Sequence, residues 1–230
     1  MEVNRERLAA NFTELCEIDS PSRREGRISR RLQELFRSLG AAEIIEDDSA
    51  AETGAECGNL VVRFDGGLDL TPIFLSCHMD TVEPAEGVRV RREGDLFTSA
   101  GDTILGSDDK SGIAACIEAL RLLQETGTPH RPVELVITTC EEIGLVGAKA
   151  LDPDLVRARE GYALDSSGFV FFFCQSRASP HHKKTDTGVA AHAGLHPEWG
   201  VNAVLLAARA LARVPSGRID AETTANFGTI

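Results

Sequence analysis

Four short stretches of this sequence combine residue types that can do hydrolytic or metal chemistry. His78-Met79-Asp80 follows the apolar run Pro72 to Cys77. In extended backbone residues i and i+2 point the same way, so the Asp80 carboxylate can sit behind the His78 ring. A carboxylate on one imidazole nitrogen fixes the tautomer and aims the other nitrogen at a metal. Asp108-Asp109 lies in GSDDKSG (106–112), just ahead of a helical pattern. One of these carboxylates can bridge two metal ions, and the flanking glycines let the turn approach them. Glu141-Glu142 follows the apolar run Val133 to Cys140. This pair can split roles, one carboxylate binding metal and its neighbour acting as general base. Asp165 ends the short run GYALD (161–165).

Each stretch alone has an ordinary structural explanation. H-x-D also describes a strand-end histidine hydrogen-bonded to an acid. Adjacent acids at a helix start can simply cap it and match its dipole. Two acids after a buried strand are common in surface loops. Together, in this order and all at strand ends, they describe one cluster of a histidine and several carboxylates. Such a set suits zinc, cobalt or manganese. Packed acids without cations would repel one another. Metals about 3.5–4 Å apart can share a bridging carboxylate and a bridging water. Zinc lowers the pKa of that water to about 7, and a nearby Glu can take its proton and return it to a leaving amine.

The elements that must position these residues follow from hydrophobic periodicity. Leu8, Phe12 and Leu15 mark a helix over 4–17 with Asn4 as cap, and Ile28, Leu32, Leu35, Phe36 and Leu39 mark a second that Gly40 stops. The break Asp19-Ser20-Pro21-Ser22 between them can cap the second helix. Runs 59–64, 72–77, 133–140 and 161–165 predict strands; 111–125 and 147–151 predict helices. Strands alternating with helices imply an α/β domain with a parallel or mixed sheet, and ligands bind such sheets at the carboxyl ends of strands. After Asp165 an apolar run (168–174) gives way to a polar stretch. A helix over 201–211 follows, then the start of a strand over 223–230. Residues 1–175 therefore form one domain, and 176–230 open a second.

Composition narrows the partners. The 230 residues carry a formal net charge of −12, which argues against nucleic acid and anionic membranes. No apolar run approaches the roughly 20 residues that span a bilayer. The N-terminus is charged and amphipathic and lacks a signal peptide's apolar core. Six cysteines without a C-x-x-C pair read as reduced, buried thiols, and the expected location is the cytoplasm.

LSCHMDTVEP (75–84), GSDDKSGIAA (106–115), TTCEEIGLVGAKAL (138–151), ALDSSG (163–168), AAHAGLHPEWGVNA (190–203) and TTANFGTI (223–230) together resemble the M20 family of metallopeptidases, in its tripeptide aminopeptidase (peptidase T)-like branch. The resemblance implies a zinc-aminopeptidase-like mixed sheet flanked by helices, carrying an inserted α+β lid that also forms homodimers. It implies hydrolysis of short peptides by two divalent ions, zinc with cobalt or manganese as alternatives. His78 and Asp165 would bind one metal, Glu142 the second, and Asp108 would bridge them, with Asp109 as the fallback. Asp80 would orient His78, Glu141 would be the general base, and His192 in the lid would hold the oxyanion. His181, His182 and His196 match no role. The sequence departs from the family over 169–188. Family members also continue past the lid to a last metal-binding His, so the resemblance leaves the second metal one ligand short. Two other readings share these motifs: an M20 deacylase or carboxypeptidase acting on N-acyl amino acids, and an inactive fragment.

Overall fold

The computed structural model describes residues 2–165, 187–190, 197–220 and 223–226. The chain divides into two compact units, 1–171 and 172–230. The first opens with helix α1 (Arg5–Cys16), capped by the Asn4 side chain, which accepts from the Arg7 N–H. Helix α2 (Gly26–Ser38) follows. Then come β1 (Glu43–Glu46), the single turn α3 (Ala50–Thr53), β2 (Leu60–Phe64) and β3 (Ile73–His78). A hairpin, β4 (Val90–Glu93) and β5 (Leu96–Ser99), precedes α4 (Lys110–Thr126). β6 (Val133–Thr138), α5 (Val146–Ala150) and β7 (Gly161–Ala163) complete the unit.

Five strands make one mixed sheet in the order β1-β2-β6-β3-β7. β1, β2 and β6 pair antiparallel, whereas β6, β3 and β7 run parallel. The register puts Leu60 opposite Ile137, Val62 opposite Leu135 and Phe64 opposite Val133, while Cys77 pairs with Ile137 and Leu75 with Leu135. Alternation then turns this whole set to one face, where it meets Leu15 of α1, Ile28, Leu32 and Phe36 of α2, and Ile113 and Ile117 of α4. Burying each such aliphatic side chain contributes about 1.5–3 kcal/mol, which is what holds the amphipathic helices to the sheet. The helix stripes were readable for this reason: Ile28, Leu32, Leu35, Phe36 and Leu39 are all buried. Phe36 meets Phe64 edge-on at 6.2 Å.

On the other face the pairing of Arg63 with Glu134 makes a buried ion pair, Nε to Oε1 at 2.8 Å. The second Glu134 oxygen accepts from the Ala158 N–H. Glu43 and the Leu155 carbonyl take the remaining guanidinium donors.

One expectation about this unit fails. No side chain from the 19–22 break caps α2, whose cap position is Glu25 without a capping hydrogen bond. Ser22 instead donates to Asp80 at 2.7 Å, so a charged acceptor took the hydroxyl that a helix end would have used.

Among the described residues, the second unit contains α6 (Ala203–Leu211), capped by the Asn202 side chain, and a short antiparallel pair, β8 (Gly217–Arg218) with β9 (Thr224–Ala225). The apolar run 168–174 and residues 227–230 lie outside the described residues, as do His181, His182, His192 and His196. No described helix is long and apolar enough to cross a membrane.

Candidate metal centre

The three parallel strands finish side by side, and their ends deliver the chemistry. His78 is the last residue of β3 and pairs in register with Thr138, the last of β6. Glu141 and Glu142 follow three residues later. On the other side Ser76 pairs with Ala163, the last residue of β7, and Asp165 follows. Asp108 arrives from the turn before α4, where Gly106 takes φ +69, a conformation glycine adopts without cost. The approach of α5 to the end of β6 also requires glycine, since a Cβ on Gly147 would lie 2.1 Å from the Thr139 carbonyl oxygen.

His78 is buried and its Nε2 faces the acids. Asp108 Oδ1 lies 3.1 Å away, Asp165 Oδ1 3.7 Å and Glu141 Oε2 3.9 Å. His78, Asp108 and Asp165 form one group whose ligand atoms lie within 4.8 Å of one another; His78, Glu141 and Glu142 form a second. The two groups share the imidazole. Of the acids proposed from sequence, Asp108, Glu141, Glu142 and Asp165 come together around it.

Asp109 does not join them. It is buried at the start of α4 and accepts from the Gly112 N–H at 3.2 Å, the capping role that adjacent acids suggest. Burial pushes its carboxyl up to about 7. Lys110 is also buried, with Nζ bonded to the Ile18 carbonyl at 2.8 Å, and burial lowers its amine to about 8. Lys110 thus ties the start of α4 to the segment after α1.

Asp80 does more than the H-x-D spacing implies. His78 Nδ1 is 2.9 Å from the Asp80 main-chain oxygen and 3.4 Å from its carboxylate. The backbone carbonyl is the closer partner of the ring. The carboxylate accepts the Ser22 hydroxyl at 2.7 Å and the N–H groups of Glu141 at 2.9 Å and Glu142 at 3.2 Å. It thus joins the end of β3 to the turn after β6. Burial opposes its charge, but these hydrogen bonds and His78 hold it below the ordinary carboxylate range. Ser22 was expected only as a helix cap, and Glu25, which accepts from the Cys140 N–H at 3.0 Å, was not singled out from sequence. Both sit in a polar break between helices, and no spacing relates them to residues 80 or 140.

The charges fit a divalent cation. Burial and repulsion from Asp165 raise the Asp108 carboxyl; burial and the neighbouring acids raise Glu141 and Glu142. Burial opposes an imidazolium at His78, yet Asp165 and Asp80 outweigh it and raise the ring to about 11. Four carboxylates thus converge on a single imidazole, and a mixed N/O donor set with this excess of negative charge is what zinc and related ions take.

The model of peptidase family M28 matches residues 59–173, half of the chain and the segment that carries every described member of the cluster. The chain belongs to this family. It is similar to the Bacillus subtilis protein YqjE, 43% identical over 98% of this chain and 61% of that one. Peptidase T of Escherichia coli is 40% identical over 123 residues, 53% of this chain and 29% of that protein. Among solved structures, aminopeptidase PepT of Bacillus cereus superposes with a TM-score of 0.73 at 40% identity, and a Staphylococcus aureus tripeptidase with 0.77 at 35%. Each match covers 99% of this chain and 61% of the other. The chain therefore spans about three fifths of the length of these structures. The motif resemblance named M20 and the matching model is M28. Taken together, the comparisons show a chain similar to peptidases of the zinc-aminopeptidase-like kind, and the mixed sheet flanked by helices is the architecture they share.

Proposed function

We propose that this chain carries the metal site of an M20-type, peptidase T-like aminopeptidase that removes the N-terminal residue of short peptides. The observation that carries the reading is the convergence of His78, Asp108, Glu141, Glu142 and Asp165 at the ends of three adjacent parallel strands. Peptidase T and tripeptidase relatives support the substrate class.

In this reading His78 and Asp165 would hold one ion, Glu142 would hold the second, and Asp108 would serve both. The two divalent ions, zinc with cobalt or manganese as alternatives, would polarise the scissile carbonyl and bring the pKa of water to near neutrality. Glu141 is the general base. Its carboxyl is raised by burial and by its acidic neighbours, which moves it toward the range where a carboxylate both accepts a proton and gives it back. It takes the proton of the attacking water and delivers it to the leaving amine nitrogen. Asp80 orients His78 and sets the Glu141 backbone. Residues 1–175 form the catalytic domain in this proposal and 176–230 open the lid. His192 would help hold the oxyanion from the lid, through which the protein would also dimerise. The working location is the cytoplasm.

Hydrolysis of tri-alanine with added zinc or cobalt tests the substrate, on this chain and on one extended to the relatives' length. Glu141→Gln should keep its metal and lose turnover by about 10²–10⁴-fold, because a base is lost and a ligand is not. Turnover near wild type in that variant would remove the role given to Glu141. Cleavage of an N-acyl amino acid with tri-alanine left intact would replace the peptidase by the deacylase.

A further inference from the structure

Three described non-glycine residues have a left-handed backbone: Arg23 at φ +74, Cys140 at φ +51 and Leu145 at φ +59. Such conformations are unfavourable for a side chain and persist where the surroundings impose them. Two of the three, Arg23 and Cys140, donate their N–H to the same atom. Glu25 Oε1 accepts from Arg23 at 2.9 Å and from Cys140 at 3.0 Å, with the Cys140 thiol at 3.4 Å. Glu25 is fully buried, and its other oxygen has no hydrogen-bond partner. A buried carboxylate with one oxygen orphaned is expensive. Its two strained donors lie 117 positions apart in the numbering, in the loop between α1 and α2 and in the turn that leaves β6.

That turn carries the proposed base. The N–H of Cys140 goes to Glu25, and the next two, of Glu141 and Glu142, go to the Asp80 carboxylate. Three consecutive amides are thus held by two buried acids, and Ser22, from the same loop as Glu25, holds the second acid. Without Glu25 the Cys140 peptide has no partner for its N–H and no reason to stay left-handed. Relaxing φ at 140 would rotate the chain entering Glu141 and Glu142.

We propose that Glu25 is a positioning residue: its Oε1 sustains the left-handed turn at Cys140 and thereby aims Glu141 and Glu142 into the metal centre. The proposal rests on the functional reading above for what those two acids do, but not for the geometry that Glu25 imposes. Its role is reach, not charge.

Two substitutions separate reach from charge. Glu25→Gln keeps an acceptor oxygen at the same distance and loses the charge. Glu25→Asp keeps the charge and withdraws the oxygen by one methylene. Two readouts on the 230-residue chain need no turnover: amide hydrogen exchange in the segment 138–145, and cobalt affinity by competition with a chromophoric chelator. Glu25→Asp should speed exchange there at least tenfold and weaken cobalt binding by about 10–100-fold, the usual effect of losing support for a metal's ligands. Glu25→Gln should stay within about threefold of wild type in both. The reverse order, equal losses in the two variants, or no change in either would overturn the proposal. If Glu141→Gln retained turnover, the base assignment would fall while these exchange and cobalt results stood, so the two failures can be told apart.

Discussion

Replacing Asp80 by Asn separates two jobs that one carboxylate performs. The side chain changes by a single group and the main chain is untouched. His78 Nδ1 therefore keeps its closer partner, the Asp80 carbonyl oxygen at 2.9 Å, and with it the tautomer that leaves Nε2 facing the acids. The turn after β6 has no such reserve. The carboxylate accepts from Glu141 N–H through Oδ1 and from Glu142 N–H and the Ser22 hydroxyl through Oδ2. An asparagine has one oxygen and one NH2, so in either flip a donor faces the N–H of Glu141 or of Glu142. A hydrogen bond to a charged group contributes about 1.5–3 kcal/mol. If that loss falls on the placement of Glu141, at about 1.4 kcal/mol per decade it slows turnover by roughly 10–150-fold. Metal affinity, set largely by a ring still oriented through the backbone, should fall by less than about tenfold, below the usual range for a lost supporting group. The assay is kcat on tri-alanine at saturating cobalt, beside chelator competition for the metal, in the length of chain that turns over peptide. A collapse of metal affinity with full kcat at saturating cobalt would refute the reasoning. It would show that the carboxylate 3.4 Å from Nδ1, and not the carbonyl, governs the imidazole.

Asp108→Ala should strip both ions, because this side chain is proposed to bridge them, and unchanged metal content by elemental analysis would end the bridging role. Glu134→Gln breaks the buried pair with Arg63 and should cost about 3–5 kcal/mol, a fall in Tm of roughly 6–20 °C by calorimetry. A Tm within about 2 °C of wild type would show the pair to be dispensable. Lys110 should leave a signature in the pH dependence of stability. Its folded pKa of about 8 lies below the ordinary 10.5, so the unfolded chain binds more protons between those values and stability rises with pH across that window. The difference in unfolding free energy between wild type and Lys110→Met should increase by roughly 3 kcal/mol from pH 8 to 10.5 in urea titrations. A flat difference would mean the amine is solvated in the native state.

What was legible in the sequence was what obeys a period or a fixed order. The α2 stripe from Ile28 to Leu39 announced its helix because one face meets one core. β2 and β6 announced themselves as apolar runs because they are buried on both faces, and β3 did so although its first four residues are only half-buried. β1 and the β4–β5 hairpin did not. EIIE, VRRE and LFTS lie at an edge or outside the main sheet, with every residue half-buried or exposed, and four residues are too few to show alternation against charged neighbours. The site divides along the same line. His78, Glu141 and Asp165 could be placed near one another because each follows a strand, and strand ends in a parallel sheet are neighbours by construction. Which of Asp108 and Asp109 would reach them could not be placed, since both stand at one helix start and the turn decides which enters the cluster and which caps the helix.

Glu25 marks where that reasoning stops. Its partner Cys140 is fixed by tertiary approach of the α1–α2 loop to the end of β6, a contact between distant segments that no local pattern encodes. Its oxygen meets a φ of +51° that a Cys would not adopt by its own preference. The sequence presents only an acid in a polar break beside Pro21, which is an ordinary place for an acid. In the proposed reading, function in this fold depends on two kinds of residue. Those at strand ends and at the start of α4 would bring the ligands, and those in the α1–α2 loop would lock the peptide groups behind them. Only the first kind has a signature in one dimension.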